Sequence, residues 1–127
     1  MRSIAVSAVL ILTTCFIGMI DPGSIEYYNG AVVVHVQRQD SFQLGGFIFA
    51  GAPEHIPHEY GHYLQEIDKG FERYIVEVAM PSVLTNVIFL TEDLIHQRPR
   101  GVWASIYNAL PWEAEADRLS KEFRRVN

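Results

Sequence analysis

The segment His58-Glu59-Tyr60-Gly61-His62 constrains this chain more than any other. On an α-helix, residues four apart share a face, so His58 and His62 aim two imidazoles at one point while Glu59 projects beside them. Ile56, Tyr63, Leu64 and Ile67 give the same helix an apolar surface to bury. The stretch from about Glu54 to Asp68 therefore reads as a helix, with Pro57 in its first turn and a stop near Lys69-Gly70. A fold built on this sequence has to bury one side of that helix and keep the histidine side for something polar.

Two imidazoles at this spacing are a metal-ligand pattern, and Glu59 then stands where a general base would take a proton from metal-activated water. The five-residue pattern also arises by chance, so it needs a third ligand to carry weight. Cys15 is the only cysteine, which excludes an intramolecular disulfide and a cysteine-based site; any metal must be held by His and carboxylates. Pro111-Trp112-Glu113-Ala114-Glu115-Ala116-Asp117 offers the carboxylates, with Glu113 placed 51 residues after His62. Glu113 and Asp117 are four apart, so one helix face can give Glu113 to the ion while Asp117 accepts a hydrogen bond from a ligating His. Two His and one Glu form a known catalytic zinc set, with water in the fourth position. Glu115 is an alternative to Glu113, although its spacing of two from Asp117 puts that pair on different faces.

Around this core of chemistry the chain reads as one domain. Its 127 residues, 49% apolar and 20% charged, lie in the globular range, and a net charge of −5 gives no reason to expect nucleic acid. Arg118, Lys121, Arg124 and Arg125 read as the basic end of a C-terminal helix running from Pro111 to about Arg125. Residues Ile4 to Ile20 carry no charge, and this run of 17 is at the short limit for crossing a bilayer. It is expected to be a membrane anchor, with a cleaved signal peptide and a buried core helix as the alternatives. Arg2 ahead of it favours an extracytoplasmic domain. The division is then residues 1–20 as anchor or signal and 21–127 as the folded domain.

Asp21-Pro22-Gly23-Ser24 reads as the turn between the two, and Tyr27-Tyr28-Asn29-Gly30 contains a second turn dipeptide. Ala31 to Gln37, rich in valine, predicts a strand, and Phe42 to Phe49 a second strand pairing antiparallel with it as a hairpin. Gly45-Gly46 inside the second strand signals a bulge or a close backbone approach. Phe71 to Leu90 reads as a buried helix, kinked or broken at Pro81 and a weak membrane span, with packing against the N-terminal helix within or on a bilayer as the alternative, and Thr91 to Gly101 reads as a loop.

His58-Glu59-Tyr60-Gly61-His62 followed by Glu113-Ala114-Glu115-Ala116-Asp117 resembles the gluzincin zinc metallopeptidases, and in particular the membrane-associated prenyl-protease and heat-shock-protease group. Leu44 to Phe49, His58 to Gln65 and Ala116 to Leu119 are similar to segments of small bacterial metallopeptidases. The resemblance implies an α+β fold: an N-terminal apolar helix, a small antiparallel β-hairpin, a zincin-like active-site helix, a buried kinked helix and a C-terminal helix. It implies Zn2+ on His58, His62 and Glu113, Glu59 as base, Asp117 behind a ligand, and a peptide or protein as substrate, its backbone lying along the Phe42 to Phe49 strand. The chain is much shorter than familiar gluzincins, so its substrate subsites must be few.

For the transition-state stabiliser the candidates are His55, His96, Tyr107 and Arg118, each of which also suits a capping, core or salt-bridge role; His35 reads as a sheet residue. Beside the zinc peptidase stands a second reading, a non-catalytic membrane-attached binding protein that keeps the fold and uses zinc as a structural staple.

Overall fold

Val32, Val33, Val34 and Val36 lie on an inner strand, where branched side chains pack well against neighbours on both edges. The computed structural model describes residues 20–37, 41–97 and 102–126, with side chains from residue 25 onward. Its four-stranded sheet has the order β1 (Ile20–Tyr28), β2 (Ala31–Val36), β4 (Phe47–Ala50), β3 (Phe42–Leu44). With helices packed on this mixed sheet, the fold is α+β. The anchor expected at residues 4–20 lies almost wholly outside the described residues.

Asn29 and Gly30 both take positive φ, at 50° and 90°, and close a two-residue hairpin in which Tyr28 opposes Ala31. The turn expected at Asp21-Pro22-Gly23-Ser24 is instead absorbed into β1. Six residues of β1, from Ile20 to Ile25, lie against only three of β2, from Val36 to Val34, so the cluster forms an irregularity on an edge strand, where an unpaired proline nitrogen costs nothing.

The predicted antiparallel pairing of Ala31–Gln37 with Phe42–Phe49 does not form. Gly45 (φ 62°) and Gly46 (φ 81°) turn the chain through a second hairpin, splitting that stretch into β3 and β4. The stacked rings of Phe42 and Phe49, 4.6 Å apart, support it. β4 then lies beside β2 in parallel, with Val33 opposite Ile48, and β3 takes the edge.

A 3-10 turn at Pro53–His55 leads into α1 (Ile56–Lys69), which ends at Gly70, whose N–H donates to the Glu66 carbonyl at 2.8 Å. Ile56 and Tyr60 bury against Ala31, Val33, Ile48 and Ala50. The Tyr60 ring packs edge-on to Tyr28 and Phe123, and its hydroxyl donates to the Asn29 carbonyl. One side of α1 is thus fixed to the sheet and to the C-terminal helix.

The next helix, α2 (Phe71–Ile95), runs through Pro81 without a break, and, against the expectation of a buried helix, it is mostly exposed, with only Tyr74 and Val78 fully buried. A π-helical turn at Ile75–Ala79 precedes Pro81, and the Met80 N–H reaches back to the Ile75 carbonyl, so the ladder shifts register where proline cannot donate. Residues 91 to 95, expected in a loop, extend this helix by more than a turn. A short helix α3 (Ala104–Asn108) leads to α4 (Pro111–Val126), which starts at the proline as its sequence predicts.

Candidate metal centre

The two long-range partners α1 and α4 meet at Gly61 and Ala116. A Cβ built on Gly61 would lie 2.0 Å from the Ala116 carbonyl oxygen, a contact no side chain tolerates. Ala116 is fully buried there. This contact brings together residues at the same offsets on both helices: His58 and Glu113 three positions before it, His62 and Asp117 one after.

His58 Nε2 lies 3.0 Å from Glu113 Oε2, and His62 Nε2 lies 3.3 Å from the same oxygen. The ligand atoms of the three residues all fall within 4.8 Å of one another. Ligands on a tetrahedral zinc with bonds near 2.0–2.1 Å stand about 3.4 Å apart, so the cluster has the dimensions of a single ion's shell. The other nitrogen of each ring is already engaged. His58 Nδ1 is 2.8 Å from Asp117 Oδ1, and His62 Nδ1 is 2.8 Å from Gln65 Oε1. Each partner is an acceptor, which puts the ring proton on Nδ1 and leaves Nε2 as the electron-pair donor once the ring is neutral. Gln65 is itself held, donating to the Trp112 carbonyl at 2.7 Å and to Glu115 at 2.8 Å.

Without a cation the cluster balances its own charge. The Glu113 hydrogen bond, set against the penalty of burial and aided by Asp117, pushes His58 up from 6.5 to about 9. Burial by itself would raise Glu113, but hydrogen bonds from His58 and His62 outweigh it and hold the carboxyl well below its usual range. Glu113 Oε1 is nonetheless buried with no hydrogen-bond partner, a costly state for a carboxylate oxygen. A divalent cation among these atoms would satisfy it, so the residues fit a metal. Burial also raises Glu59, partly offset by His62 and His58 beside it, which suits a carboxylate meant to accept a proton.

The remaining expectations sort by geometry. Glu115 is taken by Gln65 and by Lys69 at 3.4 Å, so Glu113 alone of the pair joins the histidines. His55 bonds Ser41, Arg118 pairs with Glu122 and His96 with Glu92, so none of these three is aimed at the cluster. His35 pairs with Glu26 across the β1–β2 ladder, as a sheet residue would. Tyr107 is bonded to Ser82 and to Asn86, and stands near enough to Glu113 to favour its ionised form. Of the expected substrate-binding strand only β3 is an edge. Gln43 on β3 donates to Glu66, which ties that edge to α1.

Sequence reasoning passed over Gly61 as a contact point and Gln65 as the partner of His62. The available signal for Gln65 was its place one turn after His62 on an otherwise amphipathic helix, where a fully buried amide needs polar partners.

No protein-family model, curated protein or solved structure matches the chain.

Proposed function

We propose that the protein is a zinc-dependent metallopeptidase, a gluzincin-type enzyme held at a membrane through residues 4–20 and acting on a peptide or protein. The observation that carries the reading is the convergence of His58, His62 and Glu113 on one point with Glu59 buried beside them. His58, His62 and Glu113 would hold Zn2+, which when bound acidifies water and polarises a carbonyl. The chain's own groups do the rest. Asp117 and Gln65 keep both imidazoles in the Nδ1–H form. Glu59 accepts the proton of the attacking water and can pass it to the leaving amine. The edge β3 offers backbone groups to an extended substrate.

Metal analysis of the purified chain tests this directly, with about one zinc per chain expected. Glu59→Gln should keep the zinc and lose hydrolysis of an unfolded protein such as casein. A wild-type chain that takes up no divalent cation ends the proposal. Zinc uptake with no difference between wild type and Glu59→Gln in any hydrolysis assay favours the structural-zinc binding protein instead.

A further inference from the structure

The helix α2 buries little of itself, only Tyr74 and Val78 fully, and turns a long apolar face outward. Val76, Met80, Val83, Leu84, Val87 and Leu94 are each more than half exposed. The opposite side meets the rest of the protein through mixed contacts: Ser82 and the exposed Asn86 bond the Tyr107 hydroxyl, and Phe89 stacks on Trp103 at 4.9 Å. The outward side also contains Thr91, whose hydroxyl donates to the Val87 carbonyl at 2.7 Å and so needs no water. A helix in water shows the reverse arrangement, and an apolar face this continuous marks a contact with something apolar.

Length and charge decide what that is. The 25-residue helix has a mean hydropathy of 1.5 in its most apolar stretch, of which only 11% is buried. Its uncharged part runs only from Val78 to Thr91. At about 1.5 Å per residue those positions rise about 21 Å, well short of a bilayer core of about 30 Å, so the helix is too short to cross without burying charge. Glu72, Arg73 and Glu77 lie at one end and Glu92, Asp93 and His96 at the other, and Arg73–Glu77 and His96–Glu92 are paired. A helix charged at both ends and apolar along one side suits the plane of the membrane interface. Pairing with a second copy fits less well. A coiled-coil seam along Val76, Met80, Val83 and Val87 would leave Leu84, Ile88 and Ile95 in water, where soluble coiled coils place charges.

We propose that α2 lies in the surface of a lipid bilayer, its Val76–Leu94 face in the acyl region and α3 on the water side. This contact is separate from the expected anchor at residues 4–20 and does not depend on the metal reading. The full chain would be tested in phosphatidylcholine vesicles, since its net charge of −5 disfavours an anionic surface, with Cys15→Ser and a nitroxide on a cysteine at 83, 87 or 94, and a control label at Asp68 on the exposed end of α1. Circular dichroism confirms that each labelled chain is folded. The expected result is an oxygen-to-nickel accessibility ratio about threefold or more above the control at all three positions, at one shallow depth. Water-like ratios at 83, 87 and 94 overturn the proposal. So does a depth that increases steadily from 83 to 94, which would mean insertion end-on. Dipolar broadening that disappears on dilution with unlabelled chain would show a second copy on this face and overturn it equally.

Discussion

Gly61 and Ala116 touch backbone to backbone, and the metal-site geometry follows from that contact. With the helices this close, the positions three before and one after the contact on each helix face one another, which is where His58, His62, Glu113 and Asp117 stand. Gly61→Ala is expected to force α1 and α4 apart, because the obstructing atom is a backbone carbonyl rather than a flexible side chain. The cost should be about 1–3 kcal/mol, the usual range for overpacking, with a fall in zinc affinity greater than the loss of stability explains. Thermal unfolding with chelator present, together with a zinc titration, checks both. Unchanged affinity would show that the contact does not set the site.

Asp117 and Gln65 play matching parts on opposite sides of the cluster, each accepting from an Nδ1–H. Asp117→Asn and Gln65→Leu should each lower zinc affinity by about 10- to 100-fold while the fold persists. Gln65→Leu is the harsher change for stability, since it also strands the Trp112 carbonyl and one Glu115 oxygen contact. Competition with a zinc-responsive chelator gives the affinities. A loss confined to stability would make these residues packing elements only.

Glu113→Gln separates charge from shape. The amide keeps the volume but removes the anion that both histidines address, so zinc affinity should fall by more than 100-fold, beyond the effect of losing either supporting residue. His58 in the metal-free variant should lose much of its upward shift, because the Glu113 hydrogen bond is the leading cause. Proton NMR titration of the imidazole reads this without any metal.

What the sequence revealed and what it hid divide along physical lines. The spacing of four at His58/His62 and Glu113/Asp117 is a local helical property, so the faces were legible before any tertiary structure. The approach of two backbones at Gly61 depends on which helix packs opposite, and no local pattern carries that. Gly45-Gly46 is compatible with a bulge or a two-residue turn, and only the pairing of β4 with β2 decides between them. The apolar run from Phe71 fits a buried helix or one packed within or on a bilayer, because hydrophobicity does not say what covers it; the structure shows only that Tyr74 and Val78 face the protein while most of the other apolar side chains stay exposed.

Opposing proton demands make pH a test of the whole cluster. In the metal-free protein His58 titrates at about 9 rather than 6.5, so its contribution to stability is complete below about 6.5 and is lost as pH rises through about 9. The lowered Glu113 acts in the other direction: its contribution is present above 4.5 and disappears as pH falls through its depressed value. Glu59, raised by burial, contributes fully only below 4.5 and loses that contribution as pH rises through its raised value, so it pulls the optimum towards acid. His58 and Glu113 together therefore favour the range between about pH 4.5 and 6.5, with Glu59 favouring its acid end, and metal-free protein should lose stability from there towards pH 9. Zinc needs His58 without its proton, so zinc affinity should rise by about tenfold per pH unit towards pH 9, and binding at pH 7 should release about one proton from His58. Melting curves across pH with chelator and with zinc, and calorimetry in buffers of different ionisation enthalpy, measure the two effects. A metal-free protein whose melting temperature climbs from pH 6 to 9 would contradict the charged His58–Glu113 pair.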